Sequence, residues 1–322
     1  MKYSLIIVVC LFFVACSSTK KQAELLEQSK PSWVKVRPID KDYYYGIGIV
    51  PKVGSPMLYE DKAKERALAD ISGQINSTVK SEAVLYQVED KNGVRDYLQN
   101  RIRSVSEGYL EGYEYVDKWE DLSNTYVYYK LSKQKYRALK AKRKAEALEV
   151  GKEKYLAAKE LKQEGQIVPS IEHFATCIDV LSGYMNELTV VEINGKQVDL
   201  VSESSIEITQ IIEKVNIVSL ANNSISTGDK KNGFLVSYEG VNPVVNMPVK
   251  LEYTGGYLVN DRLKSSDEGV VMMPELGGDN NSSTNKLSVK IDLVYLGRQV
   301  TRNLYVRKII ENQKAAEISI DV

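Results

Sequence analysis

Residues 43–50 have the sequence YYYGIGIV, and this stretch decides how the first part of the chain folds. Tyrosine and β-branched residues favour a strand, and glycines inside a strand allow a second backbone to approach closely. Ser55 and Pro56 then predict a helix start, with serine as the N-cap and proline in the first turn. An apolar residue next recurs every four positions, which predicts one buried helix face: Ala63, Ala67, Ile71, Ile75 and Val79. Because its first members are alanines, the face is narrow, and the helix should lie close against the strand.

The residues that follow predict the rest of a small domain. Residues 82–89 (EAVLYQVE) predict a second strand, which the turn pair Asn92-Gly93 closes. Residues 94–107 have helical spacing, and residues 110–119 and 125–131 predict a hairpin. The order β-α-β-α-β-β predicts helices on a mostly antiparallel sheet, an α+β domain over residues 31–136.

Tyrosine is concentrated in this domain. The chain has 21 Tyr and 4 Phe, and 13 of the tyrosines together with both tryptophans fall within residues 31–136. Strand alternation places Tyr126 and Tyr128 on the face opposite Val127, Tyr129 and Leu131. We therefore expect Tyr126 and Tyr128 to be exposed and, with Trp119, to bind a protein or sugar partner. The alternative is a half-buried sheet in which tyrosine is simply a good strand residue.

The middle of the chain predicts two antiparallel helices. Ser132 should cap a long helix over about residues 133–164, Gly165 and Pro169 should break it, and a second helix should follow at about 170–186. We interpret residues 137–187 as a helical hairpin that connects two domains. The segment loosely resembles a single tetratricopeptide unit, and one such unit is not an array.

From residue 188 the apolar pattern changes to a period of two. Short alternating stretches, the last of them KLSVKIDLVYL at residues 286–296, predict strands separated by Gly, Asn and Pro clusters, and Asn194-Gly195 is a strong hairpin signal. The spacing predicts a β-sandwich over residues 188–322. The stretch NPVVNMPVKLEY followed by SSDEGVV resembles bacterial immunoglobulin-like modules. Residues 275–285 (ELGGDNNSSTN) are expected to form a loop.

The sequence offers little that suggests catalysis. His173 and Cys177 lie four residues apart on one predicted helix face, so a Cys–His nucleophile pair or half a metal site is conceivable. Their segment, IEHFATCIDVL, is apolar, and we favour packing for both residues. Gly46 and Gly48 could belong to a dinucleotide loop, but Pro51 stands where its third glycine should be. We therefore expect no enzyme activity, no catalytic residue, no metal, no cofactor and no nucleotide.

Charge bounds the kinds of partner. The chain has 43 basic and 43 acidic residues, which argues against nucleic-acid binding. Residues 133–144 are locally basic, with seven Lys and Arg and no acid. The run suits anionic lipid headgroups or an acidic partner, and the alternative is an ordinary solvated helix face.

The N-terminus indicates where the protein is located. Lys2 precedes an apolar run from Leu5 to Val14, which is about half the ~20 residues that a bilayer-spanning helix needs. The pattern is typical of a secretory signal peptide over residues 1–15. Phe13-Val14-Ala15-Cys16 resembles the lipobox of bacterial lipoproteins. The resemblance implies that the Cys16 thiol receives diacylglycerol, that the signal is removed, and that the new amino group is acylated, palmitate being the expected chain. Residues 16–30 would then form a lipidated tether that spans roughly 20 Å as a coil and roughly 50 Å when stretched.

A second resemblance concerns the α+β domain. Pro31-Ser32-Trp33-Val34, Tyr45-Gly46-Ile47-Gly48 and the alanine-rich helix resemble the LPP-twenty family of bacterial lipoproteins. The resemblance implies an envelope-anchored, protein-binding domain without enzymatic activity. With Ser17 and Ser18 after the cysteine, the lipoprotein resemblance also implies transfer to the outer membrane, at its periplasmic face.

We therefore expect an anchored scaffold that binds the membrane through its lipid and also envelope proteins or cell-wall peptidoglycan. One alternative is an envelope hydrolase that acts on glycan or peptide. A third possibility is a flagellar-ring accessory, which rests on the resemblance alone, because a related domain occurs at the N-terminus of a flagellar ring protein.

Overall fold

The computed structural model describes residues 24–81, 93–108, 110–220, 233–278 and 285–322. These residues form helices and several antiparallel sheets, which confirms the predicted α+β class. The chain divides into two compact units, Met1–Ala83 with Arg103–Arg143 and Val84–Ile102 with Lys144–Val322. The predicted hairpin at 137–187 is therefore not a separate body, because most of it belongs to the second unit.

The first unit contains a three-stranded antiparallel sheet with a long helix on one face. Among the described strands the order is β1-β3-β2, so the first strand pairs with the third and lies at an edge. The predicted strand at 82–89 lies outside the described residues. The elements, together with the two helices that continue into the second unit, are α1 (residues 24–29), α2 (Ser32–Lys35), β1 (Tyr43–Pro51), α3 (Pro56–Ser81), α4 (Val94–Glu107), β2 (Glu114–Glu120), β3 (Asn124–Ser132) and α5 (Lys133–Gln163).

The backbone of helix α3 lies directly against the backbone of β1. Ala63 and Ala67 are completely buried. A methyl group on Gly48 would overlap the carbonyl oxygen of Ala63, and one on Gly46 would overlap that of Ala67. The contact is thus formed by glycines on the strand, Gly46 and Gly48, and by alanines on the helix, Ala67 and Ala63. The predicted close approach at these glycines is confirmed.

A polar stripe of α3 occupies the open edge of β1. The stripe consists of Arg66, Asp70 and Gln74, which recur every four residues and so lie on one side of the helix. Arg66 donates to the carbonyl of Ile49, the amide of Ile47 donates to Asp70 Oδ2 at 3.1 Å, and Gln74 Nε2 donates to the carbonyl of Tyr45 at 2.6 Å. These side chains satisfy backbone groups that an edge strand would otherwise leave available to another chain.

The second unit combines several sheets with helices. The sheets have the orders β11-β9-β14-β15, β12-β7-β6 with β8 beside β7, β10-β13 and β4-β5. The predicted sandwich is not confirmed. The elements are α6 (Ile167–Leu181), a 3-10 turn (Ser182–Tyr184), β4 (Val190–Ile193), β5 (Lys196–Asp199), α7 (Leu200–Glu213), β6 (Val215–Ser219), β7 (Gly233–Tyr238), β8 (Asn242–Pro243), β9 (Pro248–Tyr253), β10 (Gly256–Leu258), β11 (Arg262–Lys264), β12 (Val270–Met272), β13 (Leu276–Gly278), β14 (Lys286–Ile291), α8 (Leu293–Val300), α9 (Leu304–Glu311) and β15 (Glu317–Asp321).

Helix α6 is a core element of this unit. Its buried residues occupy most of its circumference, and they include Ile171, Phe174 and Ile178, each with no exposed surface. The interpretation of this segment as a connector was therefore wrong. Pro169 lies inside the helix, because the amide of a first-turn residue has no intrahelical partner to lose.

One strand prediction failed because an N-cap interrupts the alternation. The run KLSVKIDLVYL has a period of two, but β14 ends at Ile291 and α8 begins at Leu293. Asp292 Oδ1 accepts a hydrogen bond from the amide of Tyr295 at 2.9 Å, which starts the helix. The local cap thus overrides the pattern of apolar residues.

The close contact predicts opposite effects for two glycine substitutions. Gly48→Ala should lower the free energy of unfolding by about 1–3 kcal/mol or more, because its methyl group meets the Ala63 backbone. Gly73→Ala, in an exposed part of α3 with nothing within 4 Å of the new methyl group, should raise it by about 0.5–1 kcal/mol. Urea denaturation measures both. Equal effects of the two changes would contradict the close packing of α3 on β1.

Candidate functional site

The sheet face opposite α3 is covered by residues 24–42, which we call the N-terminal strap. Trp33 lies near its centre and is 7% exposed. Its ring stacks on Tyr128 with 5.2 Å between centroids, and its Nε1 donates to Asp117 Oδ2 at 2.8 Å. Farther along the strap, the carbonyl of Asp40 accepts a hydrogen bond from Lys133 Nζ at 2.9 Å. The strap therefore runs along the sheet and covers the centre of this tyrosine-rich face at Tyr128.

The structure corrects the predicted binding surface. Val127 and Leu131 do face α3, as the alternation predicts, but Tyr128 on the other face is only 7% exposed. The prediction that Tyr128 is exposed was wrong because alternation assigns faces and does not show what covers them. Burial raises the pKa of Tyr128 to about 12.

Tyr126 and Trp119 lie together beside Tyr128 and are half-buried. Their ring centroids are 5.0 Å apart. The hydroxyl of Tyr126 donates to Asp121 Oδ2 at 2.9 Å, and Trp119 Nε1 donates to Ser29 Oγ at 3.4 Å. The three predicted residues therefore form one cluster, but the strap already occupies it, so it is not an open site.

The start of the strap also changes the predicted tether. Residues 24–29 are helical, whereas residues 16–30 were expected to be flexible coil. Ser29 contacts Trp119, and Lys30 Nζ lies 5.7 Å from the centre of the same ring. The acylation site, Cys16, lies outside the described residues.

His173 and Cys177 lie in the packed part of α6. Cys177 is completely buried, and burial raises the pKa of its thiol to about 11. The thiolate that a nucleophile or a metal ligand requires is therefore scarce at neutral pH. His173 is half-buried, and its Nδ1 has no hydrogen-bond partner. Across the described parts of the chain, no three His, Cys, Asp or Glu side chains are grouped so that they could hold a metal.

The basic run at the start of α5 is largely paired within its own unit. Lys135 pairs with Glu114 at 2.9 Å, and Arg143 contacts Glu111 and donates to the carbonyl of Gly108 at 3.0 Å. This pairing, together with that of Lys144 with Glu187 at 2.6 Å, favours the interpretation of residues 133–144 as a solvated helix face over that of a lipid-binding patch.

A cleft in the second unit was not predicted from the sequence. Its volume is about 320 Å³, and it lies where β9 and β11 meet the start of α8. It is lined by Pro248, Val249, Arg262, Leu263, Lys264, Asp292 and Tyr295. The lining combines apolar side chains with two cations, one acid and one tyrosine. Because three separate segments supply these residues, no local sequence motif predicts the cleft.

Asp292 organises the polar side of this cleft. Its side chain is 7% exposed, and Oδ2 lies 3.1 Å from Arg262 Nε while Oδ1 caps α8. Lys264 Nζ lies 5.5 Å from the centre of the Tyr295 ring. In the described part of the chain, neither the Nη atoms of Arg262 nor Lys264 Nζ has an acidic partner of its own. The cleft thus presents two cationic groups, one of them oriented by a buried carboxylate, which suits a ligand with carboxylates.

Comparison with protein-family models, curated proteins and solved structures finds no match to this chain. None of the helices in the described ranges is both long enough and apolar enough to span a bilayer.

Proposed function

We propose that this chain is a bacterial envelope lipoprotein, anchored to the outer membrane through acylated Cys16 and facing the periplasm. In this proposal it acts as a scaffold that binds carboxylate-bearing envelope material, either cell-wall peptide or an acidic protein segment. One observation carries the anchoring: a short apolar run ends at Phe13-Val14-Ala15-Cys16 and is followed by small polar residues. Several acyl chains would hold the protein stably, since each buried CH2 contributes about 0.8 kcal/mol and a single chain binds only marginally.

The cleft of the second unit supports the binding part of the proposal. Arg262 and Lys264 alternate along β11, so their side chains emerge on the same face of the strand, roughly 7 Å apart. That spacing suits two carboxylate groups of one extended peptide. Among the residues that the structure describes, Asp292 is the only acid that lines the cleft, and it already caps α8 and contacts Arg262. Because glycan hydrolysis canonically uses two carboxyl groups, the cleft favours binding over hydrolysis.

Changing Cys16→Ala tests the anchoring. We expect the variant to carry no acyl group and to leave the membrane fraction, because the thiol that accepts the lipid is gone. The matched control is Cys177→Ala, which removes a buried thiol and should leave acylation unchanged. Mass spectrometry of the N-terminal peptide and membrane fractionation give the two measurements. A Cys16→Ala protein that is processed and still sediments with membranes would refute the proposal.

Changing Arg262→Ala together with Lys264→Ala tests the cleft. Loss of two charge-assisted hydrogen bonds should weaken binding of purified sacculi or of an acidic peptide by about tenfold or more. Lys250→Ala is the matched control, because Lys250 lies on the same sheet and is paired with Glu252 at 2.7 Å. Co-sedimentation with sacculi and titration with the peptide separate the two ligand sources. Binding that is unchanged in the double variant for both ligands would remove the cleft from the proposal.

A further inference from the structure

One end of the first unit exposes an apolar surface, which we call the apolar tip. It consists of Val53 from the β1–α3 connection, Met57 and Leu58 from the first turn of α3, and Leu122 from the β2–β3 turn. These side chains are 73%, 75%, 47% and 60% exposed. The two segments are joined, because the amide of Lys52 donates to the carbonyl of Ser123 at 2.9 Å. The four side chains therefore belong to one end of the sheet rather than being scattered singly over the surface.

The charged residues of these two segments are paired beneath the tip. Lys52 contacts Glu120 at 2.8 Å and donates to the carbonyl of Asp121 at 2.7 Å. Hydrogen bonds from Lys118 and Lys52 lower the pKa of Glu120 to about 2. The carboxylate of Asp121 accepts the amides of the turn, at 2.8 Å from Ser123 and 2.6 Å from Asn124. These contacts tie the ionised groups to partners within the domain, which reduces but does not remove the cost of taking them out of water.

The strap brings the chain into the domain at this same end. Ser29 contacts Trp119, and Trp119 is only three residues before Leu122 in the chain. Asp40, by contrast, contacts Lys133, which lies beyond the other end of the sheet. Trp119 and Tyr126 are paired in register next to the turn. The chain before Ser29 therefore enters from the side of the tip. Only seven residues lie between Cys16 and Glu24, and the eight Cα–Cα steps that join the two reach at most about 28 Å.

We propose that the apolar tip rests on the lipid bilayer in which Cys16 is anchored. This inference depends on the proposed acylation of Cys16 and adds the surface that faces the membrane. The short connection holds this end near the lipid, and the exposed Val, Met and Leu side chains gain by leaving water. The opposite end of the sheet lies farther away by the length of β1, roughly 30 Å. The position of the anchor therefore favours the bilayer as the surface that the apolar tip contacts.

The test uses the acylated full chain in vesicles of phosphatidylethanolamine and phosphatidylglycerol. Met57→Cys and Leu122→Cys variants each receive an environment-sensitive fluorophore, and lipids with brominated acyl chains serve as the quencher. The matched control is Ile39→Cys, which lies in the same unit at the other end of the strap and is 95% exposed. We expect emission at Met57 and Leu122 to shift to the blue and to be quenched. Emission at Ile39 should remain that of a water-exposed probe.

Two failures can be told apart because acylation is checked by mass spectrometry on the same samples. An acylated chain whose Met57 and Leu122 probes are quenched no more than the Ile39 probe overturns the tip proposal alone. A chain without an acyl group on Cys16 overturns the proposed anchoring, and the tip proposal falls with it. Quenching that is strongest at Ile39 would show that the opposite end faces the lipid.

Discussion

The first unit depends on one contact, the approach of the α3 backbone to the β1 backbone. Gly46 and Gly48 leave no side chain on the strand, and Ala67 and Ala63 leave only methyl groups on the helix. Because α3 lies so close, its polar stripe also reaches past the edge of β1 and satisfies the outer backbone groups of that strand. A single helix thus covers one face of the sheet and protects its β1 edge, and the tyrosine face is left for another segment to cover.

The N-terminal strap covers that remaining face, and it also determines where the chain enters the domain. Trp33 fills the centre by stacking on Tyr128 and by donating to Asp117. A segment that would otherwise be a passive tether therefore becomes part of the fold. If Cys16 carries the proposed lipid, the strap orients the domain on the membrane, because it brings the chain in at the apolar tip. Anchoring and folding then involve the same short segment.

Much of the first unit could be predicted from local patterns, whereas the sites could not. Glycines in a strand and alanines every fourth residue indicate close packing, and the hairpin follows from alternation. The polar composition of residues 17–30 gave no sign that residues 24–29 are helical, and Tyr128 seemed exposed because the covering Trp33 is 95 residues away in sequence. In the second unit, the hydrogen bond by which Asp292 caps α8 ends a run that the alternating pattern predicts to continue as a strand. The cleft depends on residues from three segments, which only tertiary structure brings together.

Amide hydrogen exchange in the strap tests most directly whether this segment is docked on the tyrosine face. The amides of Val34 and Val36 bond to the carbonyls of Pro31 and Ser32 at 3.1 Å and 2.8 Å within a four-residue helix. So short a helix does not persist alone in water, so protection of these amides reports docking through Trp33. We expect clear protection in the native chain and its loss in Trp33→Ala. Exchange of both amides at the rate of an unfolded peptide in the native chain would contradict docking of the strap.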